Sequence, residues 1–406
     1  MRLFKLWWAV VLCCLLAVVI GCEDQADEGE DAPAAETEQD DDDSGDELYD
    51  PGEPGPYAVG NTTRIFTDET RWDILIGGPR QVLTEIWYPV LPEDAVGEYD
   101  RPVDMIGKWA DLVADILSRI LPEEEMQNFY EPLGSIRDAP IAPDGPYPVL
   151  LYSHGNAGMR FQAYTMFEHL ASHGFIVASP DHPGNAFVTP LPEKLIIYNP
   201  LMMVFDFFFR QDDLIFLLNA MDWLNTSDNE DFFNGSIDVE NAALAGHSYG
   251  GNTVLEVFRR DGRFLACIPF AGPDFPIIDE TKEQGLMSFV GMEDHTLPDY
   301  IPLHTLIYKM VPEPKALIQI TLAGHYTFTN VCDLVPSIMG TGDGCGTGTS
   351  IWDGTEFEFI DQEIGWQIIN TYVTAWLAWR LKGEDFTPLL SKNLFPEHMD
   401  YKVELQ

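Results

Sequence analysis

From Tyr57 onward, short uninterrupted apolar runs alternate with longer stretches whose apolar positions recur every three or four residues. Apolar runs of strand length mark strands covered on both faces, and the helical periodicity between them marks the covering helices. The pattern predicts strands at 82–90, 148–153, 175–179, 242–245, 267–270, 287–291 and 316–322. It predicts helices at 161–173, 211–224, 252–260 and 362–381. This alternation specifies an α/β fold with a mostly parallel sheet. Two stretches exceed it. Residues 94–146 hold an amphipathic helix near 105–121 between Pro- and Asp-rich loops, and residues 187–209 are unusually apolar. Each is expected as covered scaffold, with a cap over a site as the alternative. No internal repeat is present.

The chain ends differ from this body. Arg2 and Lys5 precede an apolar run at 6–20, shorter than the roughly 20 residues of a spanning helix. That is the form of a signal peptide. It closes on Val19-Ile20-Gly21-Cys22, which resembles a bacterial lipobox, so Cys22 is the expected lipidation site. Between Glu23 and Glu53 there are 16 acids and no Lys or Arg. Such a stretch cannot bury enough apolar surface to fold, and its self-repulsion extends it. The expected organisation is a leader at 1–21, an acidic tether at 22–56, one catalytic domain at 57–390 and a tail at 391–406. Export and lipid anchoring to a bacterial envelope follow as the expected localisation, with the membrane as a partner through the anchor alone.

Composition narrows the function. The net charge is -45, and the part after Glu53 is itself acidic, with 51 acids against 20 bases. That surface repels phosphate backbones, which excludes nucleic acid as a partner. The hydrophobic fraction of 46% is ample for a large core. Of the six cysteines, Cys13 and Cys14 fall in the leader. Cys332 and Cys345 flank a Gly-rich loop and are the expected disulfide, leaving Cys267 as a buried thiol in an apolar run.

The most informative segment is Gly246-His247-Ser248-Tyr249-Gly250-Gly251, directly after an apolar strand and directly before a helix. In that context Gly-x-Ser-x-Gly is a nucleophile elbow: the chain turns sharply, Ser248 is exposed on the corner, and side chains at the flanking glycines would collide. The helix N-terminus behind Ser248 presents N–H groups where an oxyanion would form. A serine needs a base and the base an orienting acid, which in such an arrangement follow in the order acid, then His. Ala323-Gly324-His325-Tyr326 follows the strand at 316–322, so His325 is the candidate base. Asp294 lies just past the strand at 287–291 and is the candidate acid, with Asp274 as competitor and Glu293 as a weaker third. The candidate oxyanion donors are the N–H groups of Tyr249 and of Asn156, in Ser153-His154-Gly155-Asn156-Ala157-Gly158.

Taken together, Ile86-Trp-Tyr-Pro, Ser153-His-Gly-Asn, Asp181-His-Pro-Gly, Gly246-His-Ser-Tyr-Gly-Gly and Gly324-His-Tyr-Thr-Phe resemble the platelet-activating-factor acetylhydrolase-like branch of the α/β-hydrolases, with bacterial cutinases as neighbours. The resemblance runs over about 57–384 and implies an α/β-hydrolase fold in one catalytic domain. Two departures bear on substrate. Dienelactone hydrolases, a label often given to bacterial members, use Cys where this chain has Ser248. The acetylhydrolase pattern places its acid near Ala271, where this chain has no carboxylate, whereas Asp294 and a disulfide beside the His loop match the cutinase-like arrangement.

The expected activity is carboxylic-ester hydrolysis through an acyl-serine, on a small-molecule or lipid ester. No metal or organic cofactor is implied, and the oligomeric state is left open. Two alternatives stand beside it: amide or peptide cleavage by the same residues, and a catalytically silent surface lipoprotein.

Overall fold

The computed structural model describes residues 48–226, 232–272 and 284–406, with the side chains of 203–207 left aside. The leader, Cys22, most of the tether and Asp274 lie outside the described residues.

β1 (Ala58–Asp73) and β2 (Gly78–Val90) form a long antiparallel pair that opens the main sheet. After an insertion carrying β3 (Ser135–Arg137) come the strands that define the fold, β4 (Tyr147–Ser153) and β5 (Ile176–Pro180). A short hairpin, β6 (Val188–Pro190) and β7 (Leu195–Ile197), leads into the Met202–Thr226 helix. β8 (Ile237–His247), β9 (Phe264–Phe270), β10 (Gly285–Gly291) and β11 (Lys315–Ile320) continue the sheet. A second hairpin, β12 (Thr347–Thr349) and β13 (Glu356–Glu358), precedes the Gln362–Leu377 helix, and β14 (Met399–Glu404) ends the chain.

The ten-stranded sheet runs β14-β11-β10-β9-β8-β4-β5-β2-β1-β3. From β11 to β5 every neighbouring pair is parallel. The alternation of side chains across β4 shows how the core is divided. Leu150 and Tyr152 join the apolar layer under the Tyr164–Ser172 and Gln362–Leu377 helices, while Val149 and Leu151 join the layer under Met202–Thr226 and Tyr249–Arg260. Both faces are dry, which is why these strands read as unbroken apolar runs.

All seven expected strands are present. The expected helix at 105–121 is broken: Gly107 takes φ 60 and kinks the 3₁₀ stretch at Asp104–Trp109, so that only Ala110–Leu117 is α-helical. Residues 391–406, expected as a tail, instead supply β14, antiparallel to β11, with Met399 buried and the Tyr401 hydroxyl donating to the Leu390 carbonyl at 2.6 Å. The packed body also begins before Tyr57. The Tyr49 ring stacks on His173 at 4.9 Å, and the His169 and His173 rings donate to the carbonyls of Pro51 and Glu53. Among the described residues, no helix is long and apolar enough to cross a membrane.

The parallel strands bring one set of carboxyl ends to one edge. Ser153, His247, Gly291 and Ile320 close β4, β8, β10 and β11, and the loops beyond them carry Asn156, Ser248, Asp294 and His325. Open parallel sheets place their sites at this edge.

Candidate active site

Ser248 stands between β8 and the Tyr249–Arg260 helix with φ 55 and ψ -119, a positive φ that a non-glycine residue holds only under strain. Close backbone approach enforces the corner. A Cβ on Gly250 would lie 1.9 Å from the Ser153 carbonyl oxygen, and one on Gly246 would lie 2.6 Å from Gly250. The Ser248 N–H is tied to the Phe270 carbonyl at 2.8 Å, fixing the elbow to β9. Ser248 itself is half-buried, reachable from outside.

Asp294 Oδ2 lies 2.7 Å from His325 Nδ1, although 31 positions separate them in the chain. Asp294 Oδ1 also accepts the Leu297 N–H at 2.6 Å, so the carboxylate caps its own turn while it holds the imidazole. Burial pushes the Asp294 carboxyl up, but the His325 charge and the bond between them prevail and hold it below the usual carboxylate range. Burial lowers the His325 imidazole, and Asp294, with Asp343 behind it, overcomes this and raises it above the ordinary value. His247, the residue before the nucleophile, donates from Nε2 to the His325 carbonyl at 2.8 Å. Burial and the neighbouring His325 push His247 down to about 3, so it stays neutral and serves as a brace. Glu293 faces elsewhere, accepting the Ser350 hydroxyl and the Ile351 N–H at 2.9 Å each.

The loop after β4 is anchored donor by donor. The Gly155 N–H is taken by Gln162 Oε1, the Ala157 N–H by the Asn185 carbonyl and the Gly158 N–H by the Gly155 carbonyl. The Asn156 N–H has no acceptor among the described residues, while its side chain is held by Tyr198 and Asn185. Ala157 at φ 56 makes the turn that leaves that N–H aside.

Comparisons with known proteins agree with this architecture. A family described as alpha/beta hydrolase fold matches residues 148–307, which spans β4 through the elbow to the region after β10. A ferulic acid esterase from Streptomyces cinnamoneus superposes with a TM-score of 0.63, at 24% identity, over 83% of this chain and 94% of that one. This chain has the α/β-hydrolase fold. Among curated relatives, a probable 1-alkyl-2-acetylglycerophosphocholine esterase of Arthroderma benhamiae is 26% identical over 55% of this chain and 58% of its own length. A platelet-activating factor acetylhydrolase of Gallus gallus is 23% identical over 58% of this chain and 63% of its own. The chain thus spans about three fifths of the length of these relatives.

Two features around this candidate site were not expected from the sequence: Asp343, carried by the loop that the expected Cys332–Cys345 disulfide closes, and a buried polar cluster. Cys332 and Cys345 are joined, with Cα atoms 5.8 Å apart, and the loop they close delivers Asp343 to the site. Asp343 Oδ1 accepts the N–H groups of His325 and His295 at 2.8 and 2.9 Å, Oδ2 accepts the Thr296 hydroxyl at 2.7 Å, and its carbonyl accepts the Tyr326 N–H at 2.9 Å. One side chain therefore ties the acid turn to the His turn. The second group, Ser153, His182, Asp213 and Arg210, lies fully buried behind the loop after β4. Its local signals were Ser153-His-Gly-Asn and Asp181-His-Pro-Gly, which carry no distance information.

The insertion at 94–146 touches the same neighbourhood. Glu125 accepts the Ser337 N–H and hydroxyl at 3.1 and 2.9 Å, joining the short Glu123–Asn128 helix to the segment after Val331–Leu334. Met105, Ile106, Val113, Leu117 and Leu121 bury into the main core, so most of this insertion is scaffold.

Proposed function

We propose that this protein is a serine esterase that hydrolyses carboxylic esters through an acyl-serine, with Ser248 as nucleophile, His325 as base and Asp294 as the orienting acid. The observation that carries the reading is the 2.7 Å Asp294–His325 bond, seated beyond β10 and β11 and braced by His247 to the strained Ser248 elbow. Ser248 Oγ attacks the ester carbonyl carbon as its proton passes to His325 Nε2. The resulting oxyanion takes hydrogen bonds from the Asn156 and Tyr249 N–H groups. Collapse expels the alcohol, which receives the proton from His325. A water then repeats the sequence on the acyl-serine and frees the acid. Asp294 stays ionised throughout, holding the Nδ1–H tautomer and stabilising the imidazolium.

The names of the relatives favour esters over amides: a probable 1-alkyl-2-acetylglycerophosphocholine esterase, a platelet-activating factor acetylhydrolase and a ferulic acid esterase. An ester of a short or compact acyl group is the substrate class we infer. The leader and Cys22 support export and lipid anchoring, which Cys22→Ser tests: the variant is expected in the soluble fraction or stalled before maturation, and unchanged membrane association would refute the anchor.

The activity test uses p-nitrophenyl esters of graded acyl length and a fluorophosphonate probe. Wild-type protein is expected to be labelled once, at Ser248, and to cleave the short esters. Ser248→Ala should fold, lose the label and retain less than about 0.1% of kcat. A Ser248→Ala variant with substantial turnover would move the nucleophile elsewhere. Peptide cleavage without ester cleavage would favour the amidase alternative.

A further inference from the structure

Behind the loop after β4 lies a buried relay that mimics the arrangement at the surface. Asp213 Oδ2 is 2.9 Å from His182 Nδ1, and His182 Nε2 is 3.0 Å from Ser153 Oγ. All three side chains are buried. The protonation pattern follows from the neighbours. Asp213 also accepts Arg80 at 2.7 and 3.1 Å and Arg71 at 2.8 Å, which holds it ionised. His182 is pushed down to about 3 by burial and by Arg210, so it is neutral, with its proton on Nδ1. Ser153 must then donate to His182 Nε2, and its oxygen accepts from Arg210 Nη2 at 2.8 Å. A hydroxyl so enclosed is no nucleophile. It is a strut, and it ends on Arg210.

The guanidinium of Arg210, from the Met202–Thr226 helix, is fully buried and reaches both sides of the site's anion-binding corner. Besides Ser153 it donates to the His154 carbonyl and to Asn185 Oδ1. Asn185 in turn donates to Asn156 Oδ1 at 2.9 Å, and its carbonyl takes the Ala157 N–H at 3.0 Å. On the other side the guanidinium lies 4.8 Å from the centre of the Tyr249 ring. The His154 carbonyl it holds, and the Ser153 carbonyl next to it in the chain, are the atoms against which Gly250 is pressed, at 2.7 and 1.9 Å from a Cβ there.

We propose that Arg210 is a positioning residue for the oxyanion hole, fixing the loop that offers the Asn156 N–H against the helix start that offers the Tyr249 N–H. The inference rests on the serine-esterase reading above. Donors aimed in advance at the transition-state oxygen act on kcat more than on ground-state binding.

The test is Arg210→Lys, which keeps the charge but cannot span three acceptors, with Asn185→Ala as the second variant should the first fail to fold. For each we would measure kcat and KM on a p-nitrophenyl ester, inhibition by a trifluoromethyl ketone, fluorophosphonate titration and Tm. Arg210→Lys is expected to lose about 30-fold in kcat, less than removal of a donor outright. KM should stay within about threefold, and ketone affinity should fall in step with kcat. Asn185→Ala should lose about fivefold in kcat, a weaker version of the same pattern. Full-stoichiometry labelling of the folded variants would show that Ser248 remains competent. If kcat stays within about twofold of wild type in the folded variants, or kcat and KM worsen together without a selective loss for the ketone, Arg210 is only structural and the proposal fails. A wild-type protein that fluorophosphonate does not label at Ser248 would instead sink the esterase reading itself.

Discussion

Asp343 acts on His325 in two ways, as a neighbouring negative charge and as the acceptor of its backbone N–H. Its carboxylate faces His325 together with His247, Asp294 and Tyr326, and with Asp294 it lifts the imidazole above its ordinary value. A base must be neutral to accept the Ser248 proton, so activity should rise with pH through that raised value. Asp343→Asn removes the negative charge but leaves an amide oxygen for the His325 and His295 N–H groups. With one anion fewer, the imidazolium is less favoured, its pKa falls, and the acidic limb of kcat/KM should move to lower pH. Asp343→Ala removes the struts as well and should cost about 10- to 100-fold in kcat, the scale of a lost orienting contact. A full pH profile of both variants decides it, and a limb that stays in place in Asp343→Asn would show that the charge is not felt. Asp343 was invisible in the sequence, where it sits among Gly342, Gly344 and Thr341 with no periodicity to place it. Ser248, Asp294 and His325 were legible for the opposite reason. Each directly follows or lies just past an apolar strand, so its position in the fold comes with its position in the chain. Arg210 and His182 act across 57 and 29 positions on Ser153, and no local pattern encodes such a pairing.

Among the elements, the strands covered by helices on both faces were readable as apolar runs, and those at the sheet margins were not. β1 is rich in Thr, Arg, Asp and Glu, some buried and some exposed, and β14 has only six residues, of which Asp400 and Glu404 are exposed. A strand with one wet face resembles a polar loop when it is short. The loop closed by Cys332 and Cys345 is the element with the most direct bearing on function. Gly342 and Gly344 take positive φ, and a Cβ on Gly324 would lie 2.4 Å from the Asp343 carbonyl carbon, so loop and His turn are fitted together at backbone distance. Such a glycine-rich segment gains most from a covalent closure. Closing 13 positions should remove about 3 kcal/mol of unfolded-state entropy. Reduction, or Cys345→Ser, is therefore expected to lower Tm by several degrees and shorten the thermal half-life. The loss in kcat should be smaller than that of Asp343→Ala, because the hydrogen bonds of Asp343 remain. Calorimetry and mass spectrometry under oxidising and reducing conditions test this. An unchanged Tm on reduction, or free thiols at both positions, would contradict it.

Over the whole molecule the charge is distributed with consequences for stability. The body after Glu53 carries 51 acids against 20 bases, and several of those bases do not face water. Arg80 pairs with Asp73 and Asp213 at 2.6 and 2.7 Å, and Arg160 with Glu85 and Asp181 at 3.0 and 2.7 Å, all with side chains nearly or wholly buried. Arg210 is buried as well. These cations neutralise interior carboxylates, which leaves the surface still poorer in positive charge than the sequence count suggests. Two kinds of electrostatics therefore respond differently to salt. Buried pairs are shielded from ions and should hardly change, whereas repulsion among exposed carboxylates is long-ranged and is cut as the Debye length falls from about 30 Å at 0.01 M to about 8 Å at 0.15 M. Surface ion pairs such as Arg119–Asp115 and Arg101–Asp104 weaken in salt, but each contributes little. Repulsion dominates this balance, so added NaCl should stabilise the fold. A Tm rising by several degrees between 10 and 500 mM NaCl is the expected result, with most of the rise complete near 150 mM. The late part of such a curve can also come from preferential hydration, so potassium chloride and sodium sulfate at matched ionic strength separate the two. Screening predicts that the curves coincide at low ionic strength. A Tm that is flat or falls over the first 150 mM would mean that surface pairs outweigh repulsion, and the reading of the acidic surface as self-repelling would be wrong.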